Sequence, residues 1–133
     1  MVVTFSGDSR VTFGERFVES LPRKTRFYDR NERRGYALTC AIAARLIDEP
    51  ALVRNGLSHA RRHMSADPSQ SRYFAMWQEE LERDVADIVR NLLEDSSRGK
   101  LLRDTQPVFC VLSREVRQEI FRKASSGGGT VLV

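Results

Sequence analysis

The sequence predicts an all-α domain, a compact bundle of five or six helices, with a short N-terminal β-hairpin as the one possible addition. Three observations carry that expectation. Beyond Tyr36, apolar side chains recur every three or four positions, the spacing of one helix face. Asp, Ser and Pro interrupt the pattern where helices start and stop. The length, 133 residues, is enough to bury a core without metal or disulfide staples.

The elements follow in order. Val2 to Phe5 and Val11 to Phe13 are β-favouring runs around the turn-prone Ser6-Gly7-Asp8-Ser9, the basis for the hairpin. Phe17, Val18 and Leu21 have helical spacing and end at Pro22. RKTRFYDRNERR, residues 23–34, reads as an arm or long loop, and residues 1–34 together as an N-terminal arm. A helical domain then spans residues 35–124. Its first helix carries Leu38, Ile42 and Leu46 at steps of four, with alanines adding propensity.

Asp48-Glu49-Pro50 ends that helix and starts the next, whose stripe is Val53, Leu57, Ala60 and Met64. Asp67, Pro68 and Gln70 occupy the N-cap, N1 and N3 places of a capping-box arrangement. From there Phe74, Trp77, Leu81, Val85, Ile88 and Leu92 form either one helix or two joined near Arg83-Asp84. Asp95 or Ser96 caps a short helix carrying Leu101 and Leu102. Pro107 then forces Gln106 out of helical geometry. Val108, Phe109, Val111 and Leu112 read as a corner of the core, and Ser113 caps the last helix, with Val116 and Ile120 facing inward. Residues 125–133 read as a flexible tail.

Several chemistries fail for want of the right neighbours. His59 and His63, four apart with Asp67 one turn on, have metal-ligand spacing, but Ala60 stands where a metalloprotease needs its general base, and Arg61 and Arg62 repel a cation. No metal is expected. Glu79, Glu80, Glu82, Asp84 and Asp87 read as a charged outer face, not an acid-base pair. Gly127-Gly128-Gly129-Thr130 lacks the Lys-Ser/Thr ending of a phosphate loop. With no G-x-S-x-G and no assembled Ser, His and Asp set, neither catalysis nor a cofactor is expected. Cys40 and Cys110 are distant and read as reduced thiols. No apolar run approaches the roughly 18 residues of a membrane span, which gives a cytoplasmic expectation.

What remains is recognition. Residues 1–66 carry 12 Lys/Arg against 7 Asp/Glu, whereas residues 67–133 carry 10 against 11. The surplus in the first half makes the arm a nucleic-acid candidate: Arg23, Lys24, Arg26, Arg30, Arg33 and Arg34 for phosphates, Phe27 and Tyr28 for stacking. The other candidate is a protein-binding surface. Arg72, Tyr73 and Trp77 supply the residue types that interface hot spots use, if the core leaves them exposed, and the same stripe could serve a homodimer. Val131, Leu132 and Val133 follow a glycine spacer and suit strand addition to a partner.

SRYFAMWQEEL, residues 71–81, and LLRDTQPVFCVLSREVRQEIF, residues 101–121, follow an order of features that resembles small helical bacterial proteins of mobile or toxin-antitoxin-like gene pairs. With the alanine-rich start at Ala37, the resemblance spans residues 36–123. It implies a small protein that binds a partner, a toxin or a regulatory protein, and it implies no catalytic residue.

Overall fold

The computed structural model describes residues 11–128, with side chains through Ala124. The described residues are helical and contain no strand. Among the described residues there are seven α-helices, not five or six: α1 (Phe13–Glu19), α2 (Arg30–Asp48), α3 (Ala51–His59), α4 (Ser71–Glu80), α5 (Val85–Leu93), α6 (Ser97–Thr105) and α7 (Arg114–Gly128).

Capping chemistry decides the first departure from expectation. Val11 to Phe13 was to be the second strand of a hairpin, but Thr12 accepts from the Glu15 amide at 3.0 Å, while the Glu15 carboxylate accepts from the Thr12 amide at 3.0 Å. This reciprocal capping box starts α1 at Phe13 and overrides the β-propensity of the flanking residues. The hairpin's first run, Val2 to Phe5, lies outside the described residues.

The basic segment is not an arm throughout. Asp29 accepts from the Glu32 amide at 2.9 Å and so opens α2 at Arg30, placing Arg30, Arg33 and Arg34 in its first turns. The 19 residues of α2 form the axle of the molecule: α1, α5 and α7 all pack against it. It ends at Asp48 with Glu49 as its C-cap, and Pro50 is the N-cap of α3.

Two features of the second half depart from regular helices. α3 continues into a single π-helical turn, Ala60–Met64, which buries Ala60 and Met64. Asp67 does not cap α4; its carboxylate accepts from the Ser69 amide and hydroxyl in a separate turn, and the helix starts at Ser71. Side-chain bonding that close to the backbone competes with helix initiation. The long apolar stripe from Phe74 to Leu92 is cut into two helices by Asp84, whose backbone is extended.

The core was anticipated in most of its members. Ile42, Trp77, Leu81, Ile88, Leu92, Leu102, Leu112 and Ile120 are buried, while Leu38, Leu57, Phe74 and Phe109 pack against it only partly covered. At the corner, Gln106 is extended and Val108–Val111 forms a 3-10 turn that packs on α3. Val108 and Leu112 are buried there, and Phe109 is only partly covered. Phe109 instead meets Phe121 edge-on at 5.7 Å. Ser113 does cap α7, accepting from the Val116 amide at 3.2 Å.

Candidate binding groove

A groove of about 710 Å³ lies between α1, the segment from Arg23 to Phe27, α2 and the end of α7. Its floor is made by small residues. Ala37, Cys40, Ala41 and Ala44 recur at helical spacing on α2, and their short side chains leave a furrow that Leu or Phe would fill. Tyr36 and Val18 complete the apolar surface.

The floor is also uncharged. The Tyr36 hydroxyl donates to the Leu93 carbonyl at 2.7 Å and accepts from the Lys24 amide at 3.2 Å; burial pushes its pKa above the ordinary phenol value. Burial likewise raises the pKa of the Cys40 thiol, outweighing the opposite pull of Arg23, whose guanidinium donates to Sγ at 3.3 Å. Both groups keep their protons near neutrality.

The walls carry charges of opposite sign. Arg23, Lys24 and Arg33 line the side formed by the arm and the start of α2, whereas Glu15 and Glu19 line the side formed by α1. Lys24 is spoken for by Asp95 at 3.1 Å and Glu32 at 3.8 Å, and it lies 5.5 Å over the Phe27 ring. Phe27 in turn packs on Tyr36 at 5.6 Å. These contacts fasten the arm to the bundle. At the α7 end, Lys123 pairs with Glu15 at 3.5 Å. Both residues also border a smaller cleft of about 100 Å³, so the ion pair stands as a partition between the two spaces.

The groove brings together four residues of the expected nucleic-acid set: Arg23, Lys24, Phe27 and Arg33. The other four lie outside it. Arg26, Arg30 and Tyr28 are exposed, Tyr28 at 92%, and Arg34 sits 5.5 Å over the Phe121 ring.

The expected protein-binding set is divided further. Trp77 is fully buried and donates Nε1 to the Thr105 hydroxyl at 2.8 Å, so it joins α4 to α6 in the core and offers no exposed recognition surface. Arg72 lies 4.8 Å over Tyr73 on the outside of α4, and neither lines the groove. Val131, Leu132 and Val133 lie outside the described residues.

The His59 and His63 rings lie 4.7 Å apart, tilted at 45°, and the His59 pKa is lowered by burial, then by His63 and Arg62. Among the described residues no three His, Cys, Asp or Glu side chains converge as a metal site. None of the described helices is long and apolar enough to cross a membrane.

Sequence reasoning missed the floor. Its signal was present as alanines at four-residue spacing on α2, but alanine reads first as helix propensity. Compared with known proteins, the chain matches no family model, no curated protein and no solved structure. Its function has to be read from its own geometry.

Proposed function

We propose that this chain is a non-enzymatic, antitoxin-like regulatory protein that binds another protein through the groove between α1, the arm, α2 and α7. The observation that supports this reading is an apolar, uncharged floor between walls of opposite charge. Such a surface combines area that gains from leaving water with charges that fix orientation. Tyr36 and Cys40, the titratable groups on the floor, hold their protons near neutrality and present no base to a substrate.

Co-purification of the full chain from its native host tests the proposal. A partner should be retained, and its binding should be lost when the floor is filled by Ala37→Phe in a protein that still folds. A monomer that retains nothing, and that does not rescue cells from a neighbouring gene's product, defeats it.

A nucleic-acid reading draws on the exposed Arg26, Tyr28 and Arg30, which stand on one short stretch around the start of α2. Against it, Glu15 and Glu19 stand in the groove, and Lys24 already has two carboxylate partners. This reading predicts affinity that falls steeply with salt, and undetectable binding at about 50 mM salt eliminates it.

A further inference from the structure

The distribution of charge around the groove specifies the chemistry of the segment it takes, an inference that rests on the groove being the binding site. We infer that the occupant is a short partner-protein segment in which apolar side chains are followed by a carboxylate, the apolar part on the α2 floor and the carboxylate against Arg23.

Arg23 is the cation best placed for this. Its guanidinium carries five donors, and the acceptor it meets is the Cys40 sulfur at 3.3 Å, a weak one. A carboxylate accepts more strongly and can take two of those donors side by side. Lys24, beside it, is committed to Asp95 and Glu32 and adds positive potential more than a new bond. Below these cations the floor offers the half-buried Ala37 and Ala41, with Val18, Cys40 and Tyr36 almost wholly covered beneath them, and none of these opposes an aliphatic side chain.

The opposite wall limits how much negative charge fits. Glu15 and Glu19 line the α1 side. A ligand charged along its whole length, such as a nucleic-acid backbone, would set phosphates against them. A segment with its carboxylate at one edge avoids that repulsion, and discrimination of this kind works through the disfavoured contact as much as the favoured one. The volume, about 710 Å³, lies within the range of roughly 300 to 1,000 Å³ typical of sites that enclose a compact ligand, which suits a few residues and not a whole helical face.

The test is selection of a random octapeptide display library on the immobilised full-length chain. Enriched peptides are re-measured against Arg23→Gln and against two groove-filling variants, Ala37→Phe and Ala41→Leu, each checked for helix content so that one failing to fold leaves the other. Enriched sequences should place Asp or Glu beside apolar residues and lose binding to the filled groove. Arg23→Gln should weaken them about tenfold, the size of a charged hydrogen bond, while leaving their Asn/Gln versions unchanged. Groove-dependent peptides without an acidic residue, or indifferent to Arg23→Gln, overturn the carboxylate inference and leave the groove standing. No enrichment, or peptides indifferent to both filled grooves, overturns both.

Discussion

Removing the carboxylate of Glu80 should destabilise the fold by about 3 to 5 kcal/mol. Glu80 is not on the charged outer face its sequence neighbours predict: it ends α4 with its side chain fully buried, where it accepts from Asn91 Nδ2 of α5 at 2.7 Å and from Arg98 of α6 at 3.2 Å. Arg83, in the turn after α4, lies 3.5 Å away. One carboxylate thus ties three helices. In Glu80→Ala the Asn91 amide loses its acceptor, a loss of about 1 to 3 kcal/mol for a covered group. The two arginines lose less, because their side chains are 45% and 48% exposed and can turn to water; roughly 0.5 kcal/mol each is the scale of an exposed pair. The vacated space adds about 1 kcal/mol. At roughly 2.1 cal/mol/K of unfolding entropy per residue, the midpoint of thermal unfolding should fall by about 11 to 18 °C. Urea unfolding followed by helix circular dichroism and by Trp77, the single tryptophan, gives the measurement. Glu80→Gln, which keeps one acceptor oxygen, should lose less than Glu80→Ala. A Glu80→Ala protein within about 0.5 kcal/mol of the parent would refute the node.

Three other outcomes are expected. A Cβ at Gly56 would stand 2.9 Å from Val108 Cγ2, so Gly56→Ala should cost about 1 to 3 kcal/mol by overpacking. Val108→Ala should relieve it, so that the double mutant loses less than the two single losses combined, whereas strict additivity in urea midpoints would mean that the two residues do not meet. The lowered pKa of His59 means that the unfolded chain takes up its proton first on acidification: the contribution is complete above the ordinary histidine value of 6.5, and falls as pH drops from there through the folded value. Unfolding midpoints at about pH 7.5 and 5 should therefore diverge more in the parent than in His59→Gln, and equal slopes would exclude a His59 contribution. Cys110 is exposed and Cys40 buried, so a thiol reagent should modify one cysteine quickly in the native protein and the second only on unfolding; two equal native rates would show Cys40 to be open.

The bundle was legible because burial on one face leaves a periodic trace: Ile42, Trp77, Ile88 and Leu92 could be placed inside from spacing alone. Local caps were legible where a single side chain decides them, as at Ser96, which accepts from the Gly99 amide at 3.0 Å. Asp67 misled because its carboxylate serves two partners in a turn before the helix begins. Ala60 to Met64 carries no residue that announces a π turn. The groove was the least legible feature, since it depends on where α1, the arm and α7 come to rest on α2, and no periodicity within one element records that. The cations of the arm were visible as composition; their gathering at one wall, and Lys24's engagement by residues 8 and 71 positions away, are tertiary facts.

α1 and α7 each hang on α2, and the described bridge between their side chains is the Glu15–Lys123 pair, half open to water. An exposed pair of that kind restrains little. Opening of α1 or α7 at a free energy below that of global unfolding, with α5 and α6 keeping their places, is the expected consequence. Amide exchange should be faster in α1 and α7 than in α5, and an occupant that touches both elements should slow it.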